Sequence, residues 1–138
     1  MPFRRGVFTA DAARLLTTHD DNVVRSWDVR TGRLLAQLQG ASGGVTRLRL
    51  LADDRLLLAA SHDGTTRLWN VADGSLVRTF EGAPVEASDA VFAKGHVTVI
   101  DSEGRVTLHR CDACLSDQAL IARARGRLRT LESLPPPR

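Results

Sequence analysis

The sequence is short of several features that define large classes of protein. No apolar run in its 138 residues approaches the ~18 residues of a membrane-spanning helix, so no such helix is predicted. The start, MPFRRGVFTADAARLL, has two arginines but no continuous apolar segment or small-residue cleavage site, which argues against a secretory signal. Two cysteines, Cys111 and Cys114, are too few for a disulfide scaffold and favour the reducing cytoplasm.

Lysine and excess charge are also scarce. One lysine, Lys94, stands among 19 basic residues, and with abundant alanine, leucine and glycine this usage is typical of a high-GC bacterial genome. The net charge of +3 arises after residue 115, where basic residues outnumber acidic ones: Arg123, Arg125, Arg127, Arg129 and Arg138 against Asp117 and Glu132. The neutral body lacks the broad basic surface that nucleic-acid binding needs. We therefore predict neither a nucleic-acid nor a membrane partner.

What the sequence does contain is a repeat. The whole chain has 43% apolar residues, which suffice for one modest core. Shifting the chain by 42 residues brings like residues together, and a period of this length indicates a repeat architecture. The matched pairs are Leu15 and Leu57, Leu16 and Leu58, Asp21 and Asp63, Arg25 and Arg67, Trp27 and Trp69, Val29 and Val71, Gly32 and Gly74, Leu34 and Leu76, and Gly40 and Gly82.

Each period predicts four short strands. The apolar runs RLLTT and RLLLAAS lead into Asp-Asp-Asn or Asp-Gly turns, after which VVRSWDV and TTRLWNV alternate apolar and polar residues. A second turn, RTG or ADG, precedes RLLAQL or SLVRTF, and GVFTAD or VTRLRLL comes in front. One four-stranded sheet of this size cannot bury both of its faces alone. The period therefore implies stacked sheets in an all-β fold.

The residues of the repeat resemble a known family. Trp-Asp at 27–28, its variant Trp-Asn at 69–70, the period and the four strands are similar to the WD40 blades of a β-propeller. The resemblance covers residues 3 to about 115. It implies a non-catalytic scaffold of the cytoplasm that binds proteins, with no catalytic residue, no cofactor and no metal.

The architecture implied by the resemblance is a partial WD40 propeller followed by a short tail. The WD40 region, 1–115, would hold blades at about 3–40, 41–82 and 83–115, and residues 116–138 would form an amphipathic helix with a Pro-rich end. The third blade is degenerate, because His109 lies where the Trp should be and Glu103 where the Asp should be. No fourth strand follows Arg110 in the sequence pattern, so we expect four, four and three strands.

An open ring is the consequence of this count. A WD40 ring normally needs about seven blades, and propellers in general have ~4–8. Nothing in front of the first blade supplies a closing outer strand. We therefore expect exposed sheet faces and at least one open edge. These favour self-association, a chain that completes the propeller, or a ring of two chains with six blades.

The family carries a buried hydrogen-bond network of a Ser or Thr, the turn Asp, the Trp and a His from a Gly-His pair. The residues that match by position are Ser61, Asp63 and Trp69 in the second repeat, and Asp21, Trp27 and His19 in the first. His19 lies where the Ser would be. Neither repeat has the Gly-His pair, because QGASGGV and EGAPV contain no histidine.

Family members bind partners at the face that carries the turns between the second and third strands. The resemblance therefore implies a contact face formed by Asp20, Asp21, His62, Asp63, Ser102 and Glu103. Of these, Asp20 and His62 come just before the turn Asp, at positions from which family members commonly reach their partners.

The end of the chain resembles a second group of proteins. A degenerate last blade, then Cys-x-x-Cys, then an Arg-rich helix is similar to the C-terminus of bacterial STAND-type NTPases that end in a WD40 propeller. The alternative function is thus a regulatory or sensor fragment that acts only with a nucleotide-binding partner chain. No phosphate-binding loop is predicted here, because GASGGVTR at 40–47 lacks the Lys that reaches the phosphates.

Two further motifs have competing interpretations. Cys111 and Cys114, with His109 nearby, fit zinc ligands, a redox or disulfide pair, or buried small residues at a turn. A fourth zinc ligand is missing, and we prefer buried small residues. The sequence Ser61-His62-Asp63 has the residue types of a hydrolytic triad, but consecutive residues of a tight turn cannot converge on one reacting atom.

Residues 116–131 predict an amphipathic helix whose apolar stripe consists of Leu120, Ile121, Ala124, Leu128 and Leu131. We favour packing of this stripe on the propeller or on a sister chain. An acidic partner is the main alternative, followed by a membrane surface or nucleic acid. The aromatic residues at strand positions are predicted to lie in the core: Phe8, Trp27, Trp69, Phe80 and Phe92.

Overall fold

The computed structural model describes residues 2–82 and 85–114. Its elements are β1 (Phe3–Phe8), β2 (Arg14–His19), β3 (Val24–Asp28), β4 (Leu34–Leu38), β5 (Val45–Leu51), β6 (Leu56–Ser61), β7 (Thr66–Asn70), β8 (Leu76–Phe80), β9 (Ala87–Ala93), β10 (His96–Asp101), β11 (Val106–Arg110) and a 3-10 helix, Asp112–Cys114. The predicted helix over 116–131 lies outside the described residues. Among those that are described, no helix has the length and apolar character needed to cross a membrane.

The strands form three antiparallel sheets of consecutive strands. Blade 1 is β1–β4, blade 2 is β5–β8 and blade 3 is β9–β11. The predicted count of four, four and three strands is confirmed within the described residues. The fold is all-β, an open part of a β-propeller.

The registers of the blades repeat as the sequence does. Leu15 pairs with Trp27 in blade 1, and Leu57 pairs with Trp69 in blade 2. In blade 3 the corresponding pair is Val97 and His109, which confirms that His109 takes the place of the Trp. The His109 ring packs against Phe80 of blade 2, with ring centroids 5.3 Å apart.

The core lies between the blades. We call the face that a blade turns to the preceding blade its leading face, and the opposite one its trailing face. The first core cluster joins the trailing face of blade 1 (Leu16, Val24 and Leu38) to the leading face of blade 2 (Leu57, Ala59 and Trp69). The second joins the trailing face of blade 2 (Leu58, Ala60 and Leu68) to the leading face of blade 3 (Ala90, Val97 and Val99). Blade 2 is therefore buried on both faces.

The predicted aromatic core is confirmed only in part. Trp69 and Phe80 are fully buried, and Trp27 and Phe92 are half-buried. Phe8 is 56% exposed, so its assignment to the core was wrong. The reason is its position on the leading face of blade 1, on which no blade packs within the described residues.

Candidate functional site

Three equivalent turns stand at one end of the blades, between β2 and β3, β6 and β7, and β10 and β11. In each, the N–H of the residue at the fourth position donates to the carbonyl at the first: Asn22 to His19 at 3.2 Å, Gly64 to Ser61 at 3.2 Å, and Gly104 to Asp101 at 3.0 Å. These donors have positive φ angles of 63°, 83° and 79°, a conformation that Gly and Asn tolerate best. We call this end of the molecule the turn face.

The predicted contact residues occupy two positions of these turns, the second and the third. Asp20, His62 and Ser102 occupy the second position of their turns and are exposed. The third position is held by Asp21 and Glu103, which are exposed, and by Asp63, which is half-buried. The acids Asp21 and Asp63 at the third position stabilise their turns, as the hydrogen bonds described next show.

Asp63 is committed to holding its own turn. One carboxylate oxygen accepts from the Thr65 N–H at 2.9 Å and its hydroxyl at 2.6 Å, and the other accepts from Arg67 at 2.8 Å and the Ser42 hydroxyl at 2.9 Å. Burial acts to raise the pKa of Asp63, but these hydrogen bonds together outweigh it, and the pKa lies well below its ordinary value. Asp63 thus ties the turn to the loop between β4 and β5.

Asp21 holds the first turn from a more exposed position. Its carboxylate accepts from Arg25 at 2.6 Å and from the Val23 N–H at 3.2 Å. The hydrogen bond from Arg25 is the main cause that lowers the pKa of Asp21 to about 2. In blade 3 the turn N–H groups of Glu103 and Arg105 donate instead to Asp101, each at 2.9 Å. Glu103 is thereby left to contact Arg105 from the surface.

The two tryptophans satisfy their N–H groups in different ways. Trp27 donates to the hydroxyl of Thr17 at 2.8 Å, and that hydroxyl lies 2.9 Å from Nε2 of His19. Sequence reasoning missed Thr17, although a hydroxyl on the strand opposite Trp27 was a signal that could have found it.

In blade 2 the position of Thr17 is taken by Ala59. Trp69 donates instead to the Gln39 carbonyl at 3.0 Å. The Ser61 hydroxyl is buried without a hydrogen-bond partner among the described residues. The structure therefore does not bring Ser61, Asp63 and Trp69 into one mutual network.

Asp20 and His62 of the turn face line a cavity of about 520 Å³. Asp20 contacts Arg4, and Nδ1 of His62 lies 2.8 Å from the Glu86 carboxylate. Both pairs lie on the cavity wall, together with Arg47. Sequence reasoning missed Arg4, Arg47 and Glu86. Arg4 reaches Asp20 within blade 1, through the pairing of β1 with β2, whereas Arg47 and Glu86 meet the residues of blade 1 only through the stacking of blades.

The loop into blade 2 fits tightly against this site. The His62 N–H donates to the Gly44 carbonyl at 2.8 Å. A Cβ on Gly43 would stand 2.8 Å from the Asp63 nitrogen, so only glycine allows the loop to approach this closely. The Ser102 N–H makes the corresponding bond to the Glu86 carbonyl at 2.9 Å. The turns of blades 2 and 3 are thus each held by an equivalent hydrogen bond to the segment that enters the blade.

A larger cavity, of about 780 Å³, lies at the opposite end of the blades. Two of its charged side chains make hydrogen bonds within the fold: Asp54 accepts from the Ala10 N–H at 2.6 Å, and Arg14 donates to the Val71 carbonyl at 3.3 Å. None of the predicted contact residues lines it. The turn face is therefore the better candidate for binding.

The cysteines correct an expectation. Cys111 and Cys114 are buried as predicted, but they form a disulfide, so the preferred interpretation as unbonded residues was wrong. The 3-10 turn brings their Cα atoms to 5.4 Å, within the usual range for such a bond. The pair lies in the core between blades 2 and 3. Within residues 2–82 and 85–114, no three His, Cys, Asp or Glu residues are grouped to hold a metal.

Comparison with known proteins gives a family match for one segment. Residues 32–70 match the family model described as WD domain, G-beta repeat. This segment is therefore similar to a WD40 repeat. It runs from the outer part of blade 1 through the first three strands of blade 2, so the WD40 sequence unit and the structural blade are offset by one strand. A search of the curated proteins finds no match.

Two solved structures share the fold. The computationally designed Ika4 protein aligns with a TM-score of 0.68 at 22% identity, covering 79% of this chain and 66% of Ika4. The computationally designed Ika8 protein aligns with a TM-score of 0.69 at 22% identity, covering 78% of this chain and 33% of Ika8. The chain therefore spans about two thirds of one and a third of the other. At this identity the likeness shows the fold alone.

Proposed function

We propose that this chain is a non-catalytic protein-interaction module that binds a protein partner at the turn face. WD40 repeats typically mediate contacts between proteins, and residues 32–70 match the model of such a repeat. Since a fold by itself does not fix a function, the proposal depends on the site. The observation that carries it is the placement of Asp20 and His62, exposed at equivalent positions of successive blades, on the wall of one polar cavity.

The charges of the cavity indicate what kind of segment would bind. Arg4 contacts Asp20, and Arg47 and Glu86 line the same cavity, so charges of both signs lie around the opening. Ion pairs this exposed contribute little to stability, so a partner can replace them with pairs of its own at low cost. We therefore propose a polar peptide segment that carries both acidic and basic side chains.

The proposal separates turn-face residues by role. Asp63 and Asp21 hold their turns, whereas Asp20 and His62 are free to face a partner apart from their single ion pairs. Ser102 and Glu103 would extend the surface across blade 3. Predicted contact residues thus divide into those that shape the face and those that touch the ligand.

Affinity purification with quantitative mass spectrometry tests the proposal. The baits are the unmodified chain, the double variant Asp20→Arg/His62→Ala, and Arg33→Glu as a charge-reversal control in the turn between β3 and β4, at the opposite end. We expect proteins recovered with the unmodified chain and the control to fall by about tenfold or more with the double variant, equivalent to ~1.4 kcal/mol of binding. Equal recovery by the double variant would contradict the turn-face assignment.

Location and the excluded partners remain part of the proposal. A cytoplasmic protein without nucleic-acid or membrane partners is supported by the neutral body of the chain. The Cys111–Cys114 disulfide opposes the cytoplasmic location, because lasting disulfides are rare in reducing compartments. Titration of free thiols in chain isolated from its native cell decides this point: two free thiols support the cytoplasm, and none contradicts it.

The alternative proposal is a regulatory or sensor part of a STAND-type ATPase. It is supported by the faces of blades 1 and 3 that no other described residues cover, which further blades of a partner chain would bury. A gene directly upstream that encodes a P-loop ATPase with WD repeats is the expected finding. Its absence would leave the interaction module as the proposal.

A further inference from the structure

The leading face of blade 1 has the composition of a buried face. Residues at equivalent register positions are Phe3 and Val45, Phe8 and Leu50, Leu15 and Leu57, and Trp27 and Trp69. In blade 2 these positions pack on blade 1, and Trp69 is 0% exposed. In blade 1, Phe3 is 62% and Phe8 56% exposed. The same pattern that is core in blade 2 is thus surface in blade 1.

The trailing face of blade 3 shows the converse. Leu108 pairs with Thr98 as Leu68 pairs with Leu58, so Leu108 is the counterpart of Leu68. Leu68 is fully buried against blade 3, whereas Leu108 is 63% exposed. Val106, the counterpart of Thr66, is 56% exposed. Two apolar sheet faces therefore stand uncovered among the described residues, one at each end of the stack.

We propose that the leading face of blade 1 binds the trailing face of blade 3 of a second copy of this chain. The argument is the internal interface: a trailing face already packs on a leading face twice in the molecule, through the residues that correspond to the uncovered ones. Large apolar side chains exposed together on a sheet face favour association, and a blade cannot bury such a face alone. This surface differs from the turn face, so the inference goes beyond the proposed function.

The number of described blades predicts the number of copies. The contact joins unlike faces, and such contacts form a ring when the rotation closes and an open filament when it does not. Two copies, each with the three blades of residues 2–82 and 85–114, give a ring of six blades, within the ~4–8 blades of known propellers. Three copies would give nine. The inferred assembly is therefore a dimer in which each copy uses both of its end faces.

The test is the mass of the full 138-residue chain in solution, by light scattering after size exclusion, across a range of concentrations. We expect twice the 15.0 kDa of one chain. Phe8→Asp and Leu108→Asp each place a charge on one end face and are expected to give monomers. Val77→Asp is the matched control, since Val77 is 44% exposed on β8 of the middle blade. It is expected to leave the dimer intact, and circular dichroism confirms that each variant is folded.

Mixing the two monomeric variants identifies the geometry. Phe8→Asp retains an intact trailing face and Leu108→Asp retains an intact leading face, so the mixture is expected to form a heterodimer through one intact contact. A contact between two leading or two trailing faces would give none. An unmodified chain that is monomeric at all concentrations overturns the proposal, and so does a dimer that survives both substitutions or an open series of larger oligomers.

Discussion

Blades 1 and 2 carry the same residue pattern 42 positions apart, yet their equivalent residues lie in different surroundings. Trp69 and Leu57 are fully buried, whereas their counterparts Trp27 and Leu15 are half-buried. The cause is the neighbour: blade 2 lies between two blades, and blade 1 has a described neighbour on one face only. Burial in this fold is therefore set by the position of a blade in the stack as well as by its sequence.

A second difference concerns the indole N–H groups. Trp27 donates to Thr17 within its own blade, and Trp69 donates to the carbonyl of Gln39 in the loop that enters blade 2. Since Ala59 replaces the hydroxyl of Thr17, blade 2 satisfies its tryptophan through the preceding connection. The same donor is thus satisfied inside one blade and between two.

The largest effect is expected from the tryptophans. Trp69→Ala should cost about 3–5 kcal/mol of unfolding free energy, as truncation of a fully buried aromatic does. Trp27→Ala should cost less than half as much. Both are measured by urea denaturation in the Leu108→Asp background, which removes the inferred contact between copies. Equal costs would show that the two blades do not differ in burial.

The turn acids should give the next largest difference. Asp63→Ala removes the acceptor for Ser42, Thr65 and Arg67, and leaves donors near the core unsatisfied at a cost of about 2–3 kcal/mol. Asp21→Ala should cost clearly less, because the Asp21 side chain is more exposed to solvent than that of Asp63 and accepts fewer hydrogen bonds. Urea denaturation of both variants checks the order. The reverse order would contradict the conclusion that Asp63 stabilises the fold more than Asp21 does.

Thr17→Ala should have a moderate effect. It leaves the Trp27 N–H without its acceptor, at a cost of about 1–2 kcal/mol. Thr17→Ser keeps the hydroxyl and is the matched control, with little expected change. Thermal unfolding followed by circular dichroism compares the two. Similar losses in both variants would assign the effect to the methyl group rather than to the hydrogen bond.

Acid should produce the smallest and most gradual change. The pKa values of Asp63 and Asp21 are lower in the folded chain than the ~3.9 of an unfolded Asp. Their stabilisation is therefore complete above that value and is lost as the pH falls, for Asp21 towards its folded pKa of about 2. Unfolding free energies between pH 5 and pH 2.5 should fall less steeply for Asp63→Asn. If the unfolding free energies of the unmodified chain and of Asp63→Asn fell equally steeply with pH, Asp63 would not contribute to the acid sensitivity.

The sequence predicted the number and order of the strands because both follow from alternation and turn residues. His109 at the Trp position and Glu103 at the Asp position could be placed for the same reason, since the turn fixes the register. Phe8 could not be placed correctly, because its pattern is that of a buried residue, and it is exposed only because no blade packs on it within the described part of the chain. Ion pairs such as His62–Glu86 join residues of different blades, which no local pattern relates.

The Cys111–Cys114 bond shows another limit. The C-x-x-C spacing permits zinc, a disulfide or free thiols, and the choice depends on backbone geometry that the spacing does not determine. The 3-10 turn resolves it by bringing the two Cα atoms within bonding range. Residues 116–138 lie outside the described residues, so the division into a repeat region and a tail stays a prediction.

The central claim is that the position of a blade in the stack sets the burial of its tryptophan. Acrylamide quenching of Trp27 and Trp69 fluorescence tests it most directly, because it measures the solvent exposure of each indole. Each indole is observed alone in Trp27→Phe and Trp69→Phe chains, both carrying Leu108→Asp so that copies stay apart. The remaining Trp69 should emit at short wavelength and resist the quencher, while the remaining Trp27 should be readily quenched. Identical emission and equal quenching of both would contradict the account.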